Sequence, residues 1–448
     1  MSRTLDVRAG GTGSVKIRID ELGGRRVVLF EIDPARNRGA LSPDDGEGIA
    51  AAAALALAKR IPLVGFVASS GADILGGIAA TFGWGTAARA IVRCSGTVPV
   101  LLVVTGPAVS GPALFLGLAD VVIMIEDSYA FVSGPHMVQE FTGEILTSAM
   151  LGGPGMHART SGVASLVVRD VDDARLALAS VLAYLPSHTD VEPERIATDD
   201  PANRRTPELV GAVPASPTGS YDVRDVARAI VDDRELLELR AGWATNLVTC
   251  LASIAGRPVG IVANQPQALA GTLDITASQK GGRFVAMCDA FNLPLVTLID
   301  TSGFYPGKDL EWRGMIRYGA QLAFAYARAT VPRVNVTLRK SYGGAYIVMD
   351  SKYMGNDLAY AWPSAEIAVM GAKGAAEILH RRATPEERVQ LEQDYEERLL
   401  NPYIAAERGS VDAVIDPTDT RRCLAEALGV LAAKRERLPR RRHDNSPL

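Results

Sequence analysis

The chain has few of the residues on which most enzymes rest acid–base or metal chemistry. Only 5 histidines occur in 448 residues (His136, His157, His188, His380 and His443), and none stands in a nucleophile–base motif. The 4 cysteines, Cys94, Cys250, Cys288 and Cys423, are far apart and form no CxxC pair, so neither a metal site nor a disulfide framework is expected. Reduced thiols in the cytoplasm fit this usage. Positive charge is not in excess either: a formal net charge of −4 provides no field for nucleic acid. The one basic cluster, Lys434 to His443, reads as a solvated tail, with an anion or partner contact as the alternative. No membrane span is expected, because the one candidate, Val98 to Ile125, is broken at Gly106-Pro107 and Gly111-Pro112. The opening MSRTLDVRAGG lacks the apolar core of a signal peptide.

What is present is small and apolar. Hydrophobic residues make up 48% of the chain and 43 positions are glycine, a balance that suits an α/β protein with a large core. The length suits two domains. Residues 97–111, TVPVLLVVTGPAVSG, and 330–344, TVPRVNVTLRKSYGG, both open on Thr-Val-Pro, run on as an apolar strand and close on a glycine, 233 positions apart. Upstream, GGRRVVLFEIDPARNRGAL (23–41) matches AGRPVGIVANQPQALAGTL (255–273) without a gap at an offset of 232, and PLVGFVASSG (62–71) matches PLVTLIDTSG (294–303) at the same offset. A period this long marks a duplicated domain, since solenoid units run to about 20–50 residues.

Each half predicts a hairpin, a helix (47–60; 281–291), a buried strand ending in Ser-Gly, a long helix (79–93; 311–328), a second buried strand and a Gly-rich turn into another helix. This alternation implies a largely parallel sheet with helices outside and ligands beyond the carboxyl ends of the strands. The Pro-, Asp- and Ser-rich stretch 186–222 reads as a connector between a first domain, 1–200, and a second, 201–448. Residues 223–242 read as a helix and a strand that precede the second repeat, and the first half has little room for their counterpart.

A strand that runs through Ser110-Gly111-Pro112 or Gly343-Gly344-Ala345 into a helix presents peptide N–H groups without acceptors, which favour a carboxylate, a phosphate or a developing oxyanion. A tight turn without a ligand is the plain alternative at either place. Equivalent positions in duplicated domains argue for two small-molecule sites. Ser69-Ser70-Gly71 lacks the GxSxG frame of a hydrolase, and its copy is Thr301-Ser302-Gly303, so it reads as a structural turn. His157 reads as a loop-ordering residue. Chemistry then falls to backbone donors together with something bound.

From GRPVGIVANQP through DTSGFYPG and SYGGAY to GAKGAAEIL, the second half closely resembles the carboxyltransferase β subunit of biotin-dependent acyl-CoA carboxylases of the propionyl-CoA type. LGGPGMHARTSGVAS and AYLPSH in the first half resemble the same family. The resemblance implies two tandem crotonase-like (ββα spiral) domains, an N-terminal one for acyl-CoA and a C-terminal one for biotin, and a carboxyltransferase that moves CO2 from carboxybiotin to the α-carbon of an acyl-CoA. It implies Gly344 and Ala345 as catalytic donors to the ureido oxygen, with Gly343 and Tyr342 also at the biotin. Ser110 and Gly111 become the catalytic donors to the thioester oxygen, Ser70, Gly71 and Ala72 bind substrate beside them, and Ile347 lines the acyl pocket; no metal is implied. Biotin would arrive on a separate carrier, because the chain has no Ala-Met-Lys-Met context, and biotin's ATP-driven carboxylation would lie elsewhere, because no P-loop is visible. Implied partners are a biotin carboxylase/biotin carrier α subunit, a second copy completing a dimer, a hexamer, and sister β subunits. Two further readings stand beside it: decarboxylation of malonyl- or methylmalonyl-type thioesters, and a non-catalytic β-type subunit that scaffolds a carboxylase complex. The sequence departs from the family at Ser110-Gly111-Pro112, where Gly-Gly-Ala is usual, and at SSGADILGG (69–77), where Asp73 replaces an arginine.

Overall fold

The computed structural model describes residues 5–6, 13–216, 218–440 and 442–447. The chain divides into two compact units: Met1–Glu194 with Arg240–Trp243 and Ala290–Asn292, and the remainder, Arg195–Leu239, Ala244–Asp289 and Leu293–Leu448. The division comes ahead of the expected 200/201 because Ile196 already donates to the Gly256 carbonyl (2.9 Å) inside the second unit.

The first unit holds strands β1 (Leu5–Asp6), β2 (Val15–Leu22), β3 (Arg25–Ile32), β4 (Leu63–Ser69), β5 (Val100–Val109), β6 (Val121–Ile125), β7 (Tyr129–Phe131) and β8 (Leu166–Val168). Their order is β1-β2-β3-β4-β5-β6-β8, with β7 paired to β5. Pairing is antiparallel for β1, β2 and β3 and parallel from β3 onward. The second unit repeats the scheme in β9 (Leu237–Glu238), β10 (Leu247–Ile254), β11 (Arg257–Asn264), β12 (Leu295–Thr301), β13 (Arg333–Tyr342), β14 (Leu358–Ala361), β15 (Glu366–Ala368) and β16 (Ala413–Val414), ordered β9-β10-β11-β12-β13-β14-β16 with β15 on β13. Register repeats as well: Val28 faces Leu63 as Gly260 faces Leu295. So does the unusual backbone. Asn37 and Arg38 (φ 44° and 53°) recur as Leu269 and Ala270 (47° and 52°), and Arg60 recurs as Asn292 (both 56°).

Both faces of the central strands are covered, so β4 (LVGFVAS) and β12 (LVTLIDT) are buried along their whole length and show no polar–apolar alternation. In the first unit the helices Pro43–Lys59 and Ile78–Cys94 pack on the sheet through Ile49, Ala53, Ala87 and Ile91. The first of these starts before the expected residue 47. Pro43 occupies its first turn, and Ser42 and Asp45 form a reciprocal capping box. Asp45 also accepts from the Val15 N–H (3.1 Å), which ties this helix end to β2. In the second unit the expected helix 311–328 is two helices, Lys308–Trp312 and Met315–Arg328. Gly314 lies between them at φ 97°, a conformation that ends a helix.

The two helices of the first unit cross so closely that a Cβ on Gly83 would lie 2.3 Å from the Ser42 carbonyl oxygen, whereas one on Gly85 would meet nothing within 4 Å. Gly83→Ala should therefore destabilise by about 1–3 kcal/mol through overpacking. Gly85→Ala should stabilise by up to about 1 kcal/mol through helix propensity. Urea unfolding of both variants checks the opposite signs.

Candidate active site at two strand–helix turns

In each unit the register between the two central strands shifts near their carboxyl ends, between Val67 and Ser69 in one and between Ile299 and Thr301 in the other. Past the shift, β5 and β13 stay paired with β4 and β12 at Ala108–Ser69 and Ser341–Thr301, while on the other edge the short strands β7 and β15 take over from β6 and β14. The chain then turns into the helix Gly111–Leu118 or Gly343–Val348. Ser110 has φ 62° and Gly343 has φ 58°, so Ser110, Gly111 and Pro112 stand where Gly343, Gly344 and Ala345 stand in the copy. A non-glycine residue held at φ 62° and ψ −126°, outside the left-handed helical region, costs on the order of 1–3 kcal/mol.

The donors differ between the turns. Ser110 donates its N–H to the Phe131 carbonyl of β7 (2.9 Å), Ala113 donates to the Ser110 carbonyl (3.1 Å), and Pro112 has no N–H, which leaves Gly111 as the open backbone donor of the first turn. The expectation that the Ser110 N–H holds an oxyanion thus meets a peptide group already used by the sheet. In the second turn Gly344 and Ala345, both in the first helical turn, have N–H groups without an intrahelical acceptor.

Ser70, Gly71 and Ala72 form the neighbouring loop. A Cβ on Gly71 would lie 3.5 Å from the Val109 carbonyl oxygen and 3.8 Å from the Ser110 Cβ, which brings this loop against the first turn. Ser69 is fully buried and donates its hydroxyl to the Gly39 carbonyl (2.7 Å), so it orders the turn and offers no nucleophile. Asp73 accepts from the Leu75 N–H (3.2 Å). His157 contacts the Ser161 hydroxyl through Nδ1 and the Ala130 carbonyl through Nε2, each at 2.7 Å. A carbonyl only accepts, so Nε2 carries the proton and the imidazole braces the loop behind β7.

In the second unit Gly343, Gly344 and Ile347 line one cavity of about 550 Å³, together with Tyr353, Val369 and Arg408. A second cavity of about 340 Å³ lies on the other side of the short helix, against Phe304, Met315, Ile316 and Val348. A Cβ on Gly344 would lie 3.5 Å from the Phe304 ring, and one on Gly111 would lie 2.7 Å from the Trp84 indole. Each turn is therefore roofed by an aromatic side chain. Tyr342 contributes no hydroxyl to either cavity. Its ring packs with Ala372 and Leu400 and its O–H donates to Glu366, while burial, then that contact, push the phenol well above its ordinary pKa.

A model of the carboxyl transferase domain matches residues 13–446. The chain belongs to this family. The carboxyltransferase is 44% identical over 444 residues to a propionyl-CoA carboxylase beta chain from Saccharopolyspora erythraea, covering 95% of this chain and 81% of that one. It is 44% identical over 398 residues to a methylmalonyl-CoA carboxyltransferase 12S subunit from Propionibacterium freudenreichii subsp. shermanii, covering 88% and 76%. A crystal structure of transcarboxylase 12S, described as a hexamer and holding hydrolysed methylmalonyl-coenzyme A, superposes with a TM-score of 0.97 at 39% identity over 99% of this chain and 90% of that one. The carboxyltransferase thus has two parallel-sheet domains of the crotonase kind, as the sequence pattern implied.

Beneath its second turn the enzyme carries a buried polar cluster that the sequence reading did not single out. Asp300 accepts from Arg339 Nε (3.1 Å), from the Tyr221 hydroxyl (2.9 Å) and from the Lys340 N–H (3.1 Å). Arg339 also donates to the carbonyls of Ser216 (2.9 Å) and Gly219 (2.8 Å), which fastens the connector to the second sheet. Burial, then the negative charge of Asp300, raise the Tyr221 phenol well above its usual pKa and keep it a neutral donor. Ala68 and Gly106 take the corresponding places in the first unit, where a Cβ on Gly106 would lie 3.3 Å from the Ala68 methyl. Asp300→Ala should leave the Arg339 guanidinium buried without its carboxylate and destabilise the second domain by about 3–5 kcal/mol. Chemical unfolding of the variant checks this.

Proposed function

We propose that this carboxyltransferase moves a carboxyl group between biotin, carried on a separate protein, and the α-carbon of an acyl-CoA. The observation that carries the proposal is the pair of equivalent strand–helix turns, each with an open glycine N–H beneath an aromatic roof. The relatives named for propionyl-CoA and methylmalonyl-CoA supply the substrate class.

The second turn suits biotin. Its ring system is apolar with one strongly accepting ureido oxygen, and the turn offers Gly344 and Ala345 N–H groups beside cavities walled by Phe304, Ile347 and Val369. Bound carboxybiotin would supply CO2 and, once decarboxylated, a ring nitrogen basic enough to take the α-proton. Every other task falls to the chain. Gly344 and Ala345 orient the ureido oxygen, Gly111 holds the thioester oxygen as it gains charge, and the Ser70–Ala72 loop bounds the thioester. Ile347, beside Gly344 in the second unit, presents an apolar side chain that would suit the alkyl group of an acyl-CoA brought there by a second copy of the chain. No side-chain base is needed, which agrees with the engagement of both His157 nitrogens in the loop.

The same proposal extends to assembly. Partners would be a biotin carboxylase/biotin carrier α subunit and further copies of this chain, as a hexamer built from dimers, with sister β subunits admitted. Four free cysteines, three of them buried, suit a reducing cytoplasm. Among the described residues no helix is long and apolar enough to cross a membrane.

The test supplies the purified chain with biotin carrier whose carboxyl group is labelled and a panel of unlabelled acyl-CoAs, and separately with malonyl- or methylmalonyl-CoA. Label fixed into an acid-stable carboxyl group is the expected result, and carrier binding without fixation or CO2 release would overturn it. Gly344→Val should lower kcat at least about 100-fold, the effect of one lost oxyanion donor, because its branched methyls meet the Phe304 ring. Wild-type turnover in that variant would remove biotin from this turn.

A further inference from the structure

We propose that the hydroxyl of Ser110 is the second oxyanion donor of the first turn, replacing the backbone N–H that Pro112 lacks. The inference rests on the assignment of that turn to the acyl-CoA thioester.

The two turns share one register, with Ser110 at φ 62° where the copy has Gly343 at φ 58°. The second turn opens two neighbouring peptide donors, Gly344 and Ala345. At the equivalent places the first turn has Gly111, which keeps its N–H, and Pro112, which has none. The peptide on the other side cannot compensate, because the Ser110 N–H is held by the Phe131 carbonyl at 2.9 Å and Ala113 is turned back to the Ser110 carbonyl at 3.1 Å. One backbone donor remains where the copy has two.

The second observation is what occupies the positive-φ position. The copy fills it with Gly343 at φ 58°, the residue that tolerates this conformation, yet here a side chain is kept at φ 62°. A strained side chain that glycine would relieve is a pointer to function when that side chain has nothing structural to do. Ser110 fits that description. It is exposed, and its hydroxyl neither caps the helix Gly111–Leu118 nor makes a hydrogen bond among the described residues. Its Cβ lies against the Gly71 segment of the loop assigned to the thioester. A hydroxyl there can turn its proton toward an oxygen already held by Gly111 and close to the usual 2.5–3.0 Å of an O–H···O bond. No covalent step is involved: the hydroxyl donates to the enolate oxygen while charge is present and keeps its proton throughout.

The test measures kcat, KM and melting temperature for Ser110→Ala, Ser110→Gly, Pro112→Ala and the double variant Ser110→Ala/Pro112→Ala, in the full chain with carboxylated carrier and acyl-CoA. Loss of one oxyanion donor lowers kcat by about 10²–10³-fold. Ser110→Ala should show a fall of that order, with the melting temperature unchanged and KM changed far less than kcat. Ser110→Gly should lose the same activity while melting higher, since the backbone strain is gone. Pro112→Ala places an N–H where the copy has Ala345, and it should restore at least about tenfold of the kcat lost in Ser110→Ala. Wild-type kcat in Ser110→Ala, or a loss matched by a fall in melting temperature, overturns the inference while the proposed function stands. A wild-type chain that transfers no carboxyl group overturns the function and this inference with it.

Discussion

Both halves of the molecule depend on one constraint: peptide N–H groups must be left without a protein acceptor where a buried strand becomes a helix. Buried backbone donors are almost always paired, so an open one needs a local reason. The first turn of a helix supplies it, because those N–H groups have no carbonyl upstream to bond. Reaching that geometry from a strand requires one residue with positive φ, met by Gly343 in one half and Ser110 in the other. In both halves the approach to the turn also carries a register shift beside Ser69 and Thr301 and a change of outer partner to β7 or β15. The aromatic roofs then follow from glycine, since any Cβ on Gly111 would collide with Trp84.

The duplicated scaffold solves the support of these turns in two ways. In the second domain the strand ends are tied by the Asp300–Arg339 pair with Tyr221, which reaches both the Lys340 backbone and the connector. In the first domain the same two places are Ala68 and Gly106, and the strands meet by close packing of small groups. A buried ion pair adds little net stability compared with apolar packing of similar volume, but losing one partner is costly. The second arrangement specifies its connector through directional bonds.

The sequence shows the repeat plainly, and with it most of the fold. A stable offset of 232, rising to 233 before the second turn, carries over into matching strand order, register and left-handed residues. Strands and helices expected from apolar runs and small-residue periodicity are present, because both sheets are buried on both faces and local pattern and tertiary burial agree. What stayed hidden depends on contacts between distant residues. That the Ser110 N–H is occupied follows from the pairing of β5 with β7, which no local pattern reveals. Asp300 is the one charged residue of a fully buried strand, LVTLIDT, and that anomaly was the available signal; Arg339 was less legible because its strand, RVNVTLRKSY, also carries Arg333 and Lys340. The break at Gly314 was signalled by the glycine itself, but the helical periodicity on either side outweighed it.

The two turns need not be equally rich in donors to be equally effective. A ureido oxygen is a neutral acceptor for much of the reaction and has to be positioned, so with biotin at the second turn, as proposed, two fixed peptide donors would serve orientation. A thioester oxygen on the way to an enolate gains charge, and the value of each donor to it rises as the local dielectric falls. Gly111 stands at the first position of an 8-residue helix, against the Trp84 ring, in a setting that excludes water from one side of its N–H and aligns helix dipoles behind it. One backbone donor in such a place, with a hydroxyl that can rotate to follow the growing charge, can match a pair of peptides in more polar surroundings. On the proposed assignment, the departure from Gly-Gly-Ala would be a change in how the charge is held, with the adjustable donor placed where the charge changes most.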